Sequence, residues 1–181
     1  MNKTLATLQT VAKIGKIISN ILFVCSLVAA GLCVLSLMSL ATGLQQFSEA
    51  DLQSFYGLIE EASSLSLPSL YGVLSAGVIL TLGEAALSWF AMQYFRRELL
   101  AGTPFTLAGA KEMQRLGILA LVIPLAAQIL AGLVLSSFQQ VLPGAEPLTL
   151  DSQFSLAPGI SFLILSLLCR YGAQLRNSPE N

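Results

Sequence analysis

Between Lys16 and Glu49 the chain runs for 32 residues without a charged side chain. Further uncharged runs cover residues 62–83, 116–145 and 152–169, and after Glu84 the chain is again uncharged until Arg96. A helix crossing about 30 Å of hydrocarbon needs about 20 mostly apolar residues. The runs predict four membrane-spanning helices, at 17–40, 70–95, 116–141 and 154–171. Lipid offers backbone amides no partner, so each span must close its own hydrogen bonds as a helix. The alternating apolar and polar pattern of a membrane barrel strand is missing. The first apolar stretch is too long for the core of a cleaved signal peptide, so it reads as a retained helix.

Composition agrees. Charged residues make up 10% of the 181, against about 25% in a typical soluble domain. Apolar residues reach 55% and the mean hydropathy is +0.76. Too few polar residues remain to coat a soluble core, which excludes an ordinary soluble enzyme, a disordered tail and a direct nucleic-acid binder. The chain has no histidine, which removes the commonest general base and metal ligand. Cys25, Cys33 and Cys169 lie within the spans and read as small core residues. No nucleophile with a base, no metal-ligand cluster and no phosphate-binding glycine loop is present, so no catalytic residue, metal or cofactor is expected.

The charges also give a topology. Lys3, Lys13 and Lys16 precede the first span, Arg96, Arg97, Lys111 and Arg115 separate the second and third, and Arg170 and Arg176 close the fourth. The opposite loops, 41–69 and 142–153, hold Glu49, Asp51, Glu60, Glu61, Glu146 and Asp151 and no base. The positive-inside rule then places both termini in the cytoplasm of a cell inner (plasma) membrane. Residues before Lys16 read either as a short helix along the inner surface or as a solvated positive-inside anchor. In the first outer loop, Leu52, Phe55, Tyr56 and Ile59 recur at helical spacing behind Ser48 as an N-cap. That predicts an amphipathic outer helix at about 48–63.

The inner loop has the most specific local pattern, Leu99-Leu100-Ala101-Gly102-Thr103-Pro104-Phe105-Thr106. Gly102 suits a left-handed helix cap, Pro104 stops continuation and Thr106 can cap the next helix. The second span should therefore run on to Ala101 and the third begin near Leu107, making a rigid cytoplasmic hairpin over 96–115. Its bases Arg96, Arg97, Lys111 and Arg115 form a basic surface.

This stretch, with Met113-Gln114-Arg115-Leu116-Gly117-Ile118 after it, resembles the G-x-P-F-[ST] signature of a bacterial family of small four-helix membrane proteins, the domain of unknown function numbered twenty-nine seventy-five. The family pattern continues with Glu-Asn after the Thr and a Leu-Arg pair before Ile-Gly; this chain has Ala108-Gly109 and Arg115-Leu116-Gly117. The resemblance implies four-helix topology over most of the chain and no established activity. Some members sit beside small helix-turn-helix regulators, which implies regulation or sequestration at the membrane.

One charge, Glu84, falls deep inside a span, whereas Arg170 sits at the end of the fourth and can snorkel to the headgroups. A carboxylate facing lipid at the depth of Glu84 costs at least about 2.5–3.5 kcal/mol. Gly72, Ala76, Leu80, Glu84 and Ser88 are spaced by fours, which suggests that Glu84 faces the bundle on a face of small residues. Gln128, on the third span, is expected at similar depth. Pro124 frees the carbonyl of Ala120 and predicts a kink. A hydrogen-bonded Glu84–Gln128 pair follows, either a structural clasp or a proton-coupled site.

The expected fold is all-α: an integral membrane four-helix bundle with an outer amphipathic helix in the first external loop. The expected function is a non-enzymatic regulatory or protein-interaction component of a bacterial membrane. The alternative is a small proton-coupled transporter, channel or immunity/export component that uses Glu84. Membrane lipids, a cytoplasmic protein such as a small helix-turn-helix regulator, and a second copy of the chain are the expected partners.

Overall fold

The computed structural model describes residues 3–42, 67–101, 107–141 and 157–177. The described residues are all-helical. Helix α1 is Lys3–Ala41, α2 is Leu67–Ala101, α3 is Leu107–Val141 and α4 is Ala157–Asn177. The expected outer helix at 48–63, the turn Gly102–Thr106 and the loop 142–153 lie outside the described residues.

Helices α1, α2 and α3 have 39, 35 and 35 residues. At 1.5 Å per residue each is about 50–60 Å long, well beyond the about 30 Å of a hydrocarbon core. All three are long and apolar enough to cross a membrane, over Gln9–Ala41, Ser69–Ala101 and Leu107–Val141. Helix α4 is not among them. It has 21 residues, with Pro158 at its start and Arg170 cutting its apolar run short.

The stretch before Lys16 does not form a separate surface helix, one of the two readings of the sequence. It is the opening of α1, because neither proline nor a capping pattern interrupts the helix there. Helix α1 ends with Thr42, whose backbone N–H and hydroxyl both donate to the Met38 carbonyl at 3.0 Å. Its hydroxyl also reaches the Ser39 carbonyl at 3.1 Å, so carbonyls orphaned at the helix end are used. Helix α3 continues through Pro124. Polar side chains bond their own helix: Thr81 donates to the Gly77 carbonyl at 2.8 Å, and Ser137 to that of Leu133 at 2.7 Å.

Small residues make up most of the core, and Leu70, Val73, Leu74, Tyr94, Leu116 and Leu135 lie among them. Cys33, Ala76 and Ala131 are 0% exposed, and Ser19, Ser26, Ser36 and Ser88 are buried with them. Large apolar side chains point outward instead: Leu35 and Met38 are 61% exposed, and Ile18, Ile21, Leu133 and Leu167 more than half. This reverses the pattern of a water-soluble protein. It is the arrangement expected in lipid, where large apolar groups gain nothing by turning inward and helices associate where small residues let backbones approach. Cys33 is part of this core, but Cys25 is exposed; eight residues at 100° each turn the two 80° apart around α1.

The chain divides into two compact units. The first contains residues 1–24, 84–123 and 155–181, hence the start of α1, the end of α2, the start of α3 and all of α4. In this unit α1 meets α2 through Gly15, where an added Cβ would lie 2.6 Å from the Phe95 ring. The Phe23 and Trp89 rings also meet there, centroids 5.5 Å apart. Helix α4 runs antiparallel to α3, with Gly117 against Leu163 and Gly159 against Leu121. A Cβ on Gly159 would be 2.5 Å from the Leu121 side chain and 3.2 Å from the Gly117 carbonyl oxygen, so the backbones approach closely only because both positions are glycine.

The second unit contains residues 25–83 and 124–154 and is built from the remaining parts of α1, α2 and α3. Gly72 on α2 packs on Leu135 and Phe138 of α3, with 3.0 and 3.3 Å left for a Cβ. Leu70, Val73, Leu74, Ala127 and Leu135 fill it.

Candidate functional site

The charged end of the first unit holds most of the residues that the sequence singled out. Helix α2 ends at Ala101 and α3 begins at Leu107, the positions where the Gly102–Pro104 pattern places them. Arg97, one turn before the end of α2, donates to Glu112 on the second turn of α3 at 2.6 Å. This charge-assisted bond braces the two helix ends across the turn. Its members are 54% and 36% exposed, so its contribution is at most about 1 kcal/mol. It fixes geometry more than it adds stability.

The pair leaves the other bases outward. Arg96, Lys111 and Arg115 are exposed, and none has an ion-pair partner among the described residues. Leu100, 82% exposed, lies among them. On the inner side of the same helix end Tyr94 is buried, and its ring meets Phe95 edge-on at 5.3 Å.

Glu84 is placed differently from the sequence expectation. Its side chain is exposed, whereas Ala85 and Ser88 beside it are buried. Periodicity alone could not show this: at 100° per residue Glu84 falls between Val73 and Gly77 around α2, and both of those are buried. Glu84 belongs to the first unit, and Gln128, half-buried, to the second. Pro124 is half-buried and opens the α3 part of the second unit.

No protein-family model, no curated protein and no solved structure matches this chain. A functional reading therefore rests on its own residues.

One feature of the charged end was not singled out from the sequence. A cavity of about 360 Å³ opens between α3 and α4, lined by Leu107, Ala110, Lys111 and Gln114 from one helix and Ser166, Leu167 and Arg170 from the other. Lys111 and Arg170 are 59 positions apart, and only the antiparallel glycine contacts bring them to one cavity. A sequence signal did exist: Lys111 and Gln114 at i, i+3, and Ser166 and Arg170 at i, i+4, each put two polar groups on one helical face. Reading it required the register of α4 on α3, which periodicity does not give. Among the described residues no three of His, Cys, Asp and Glu come together as a metal site.

Proposed function

We propose that this chain is a multi-pass membrane protein of non-enzymatic function whose basic helical hairpin, residues 96–115, is the contact surface for a cytoplasmic protein. The observation that carries this reading is the braced hairpin: α2 and α3 outrun the length a bilayer needs, and the Arg97–Glu112 bond holds their ends while Arg96, Lys111 and Arg115 stay outward. A surface of fixed geometry with unpaired cations suits an acidic partner, since charge complementarity speeds association and sets register. The positive-inside distribution supports a cytoplasmic position for this end and for both termini. The likeness of the Gly102–Thr106 segment to the bacterial family described above supports a regulatory partner, such as a small helix-turn-helix protein held at the inner membrane.

The test is site-specific photocrosslinking in cells, with the crosslinker at Arg96 and at Arg115. We expect one soluble acidic protein captured from both positions and lost when Lys111 is changed to Glu. Capture of lipid alone, or of the same proteins as from a crosslinker at Leu35, an exposed residue of the second unit, overturns the reading. The transporter alternative rests on Glu84, the one carboxyl inside the apolar stretch of α2, and is separated by substitution of that residue, as argued below.

A further inference from the structure

We infer that the cavity between α3 and α4 binds a phosphate-bearing anion, with Lys111 and Arg170 as its cationic clamp. The argument starts from charge. Two cations line one partly enclosed space, and like charges on one lining repel. Neither has an ion-pair partner among the described residues. The acid next to Lys111, Glu112, is turned away and held by Arg97 at 2.6 Å. The cavity also opens at the first turns of α3, whose dipole adds a partial positive charge. Nothing described in the cavity is negative, so an anion would relieve the repulsion.

The donors suggest which anion. Arg170 offers a planar fork that matches two phosphate oxygens, and Lys111 offers a point charge. Gln114 supplies a neutral N–H donor. Ser166 already donates its hydroxyl proton to the Leu163 carbonyl at 2.7 Å, so it meets a ligand as an acceptor. That combination suits a phosphate with a hydroxyl beside it. The volume, about 360 Å³, is within the ~300–1,000 Å³ of small-molecule sites.

The rest of the lining is apolar. Leu107 and Leu167 flank the cations, and from Leu167 an exposed apolar track continues along α4 through Ile164 and Ile160. A charged head in the cavity with an apolar chain along that track describes an anionic phospholipid, and basic pockets between membrane helices on the cytoplasmic side are suited to such heads. A free phosphate or soluble phosphomonoester offers the same head without the chain. This inference shares Lys111 with the hairpin surface but is otherwise carried by Gln114, Ser166 and Arg170, and its test reads lipid retention by the chain with no partner protein present.

Native mass spectrometry of the full chain, released from detergent doped with phosphatidylglycerol or with phosphatidylcholine, tests it. A second arm adds inorganic phosphate to the phosphatidylglycerol sample. We expect phosphatidylglycerol adducts to be retained at least fivefold over phosphatidylcholine. The double variant K111Q/R170Q should lose that preference, whereas K13Q/K16Q, which removes two exposed bases elsewhere in the same unit, should keep it. The charge-conserving pair K111R/R170K should also retain the lipid, which separates loss of the clamp from loss of fold. If millimolar phosphate binds and displaces the lipid through the same two residues, the anion site stands and its head alone is recognised. Equal retention of both lipids together with no phosphate binding overturns the proposal, as does phosphatidylglycerol retention that survives in K111Q/R170Q.

Discussion

Gly117 and Gly159 set the separation of α3 and α4. A methyl group at Gly159 meets both the Leu121 side chain and a backbone oxygen, and the oxygen cannot swing aside as a leucine tip can. Gly159→Val should therefore destabilise the protein by about 1–3 kcal/mol, the usual cost of overpacking, measured by denaturant unfolding in detergent. It should also close or distort the cavity, so phosphatidylglycerol retention should fall with it. Glu84 calls for the opposite expectation. An exposed carboxyl in the apolar part of a helix is costly when ionised; Glu84→Gln removes that charge and should leave the hairpin crosslink intact. Loss of a proton-driven flux in that variant, with the crosslink preserved, would establish the transporter instead. At this scale the sequence was an uneven guide. It identified Glu84 as the unusual charge but turned it inward, because on a helical wheel it falls between Val73 and Gly77, which are buried. It offered no view of Lys111 and Arg170 as neighbours, because their meeting depends on how closely two glycines let the backbones pack.

Helix α1 shows how an element can be held by its narrow face. Ser19, Ser26, Ala30, Cys33 and Ser36 are buried, while Ile17, Ile18, Ile21, Val28 and Leu35 stand outward. Enlarging the narrow face should loosen the helix: Cys33→Leu is expected to cost about 1–3 kcal/mol, whereas Leu35→Ala on the outer face should change stability by less than about 0.5 kcal/mol. Equal losses in a detergent unfolding series would contradict this division. The Arg97–Glu112 brace predicts a different kind of effect. Arg97→Ala should shift stability by less than about 1 kcal/mol yet broaden the distance distribution between spin labels at Arg96 and Arg115. Helix positions were the most legible part of this protein, since uncharged runs and the Gly102–Pro104 punctuation are local signals. Whether residues 3–16 continue α1 or lie apart, and how far α4 extends as an apolar segment, were less so. Both depend on helix continuity and packing rather than on composition.

Across the whole molecule the charge pattern follows the two units. All nine bases belong to the chain segments of the first unit, with four acids, net +5; the six acids of the predicted outer loops belong to those of the second, with no base, net −6. One unit's chain segments are thus basic and the other's acidic. A fluorescent protein fused to the C-terminus should accordingly fluoresce, as it does only when retained in the cytoplasm, and the protein should stay in membranes through an alkaline carbonate wash. The small-residue core has one further consequence. Replacing the outward Ile, Leu and Val of α1–α3 with Lys, Glu and Gln would give a surface fit for water. The contacts left inside would be mainly alanine, serine, cysteine and glycine, whose transfer from water releases little free energy. Such a rewritten chain would dissolve and come apart, since lipid is a component of its fold rather than merely its surroundings.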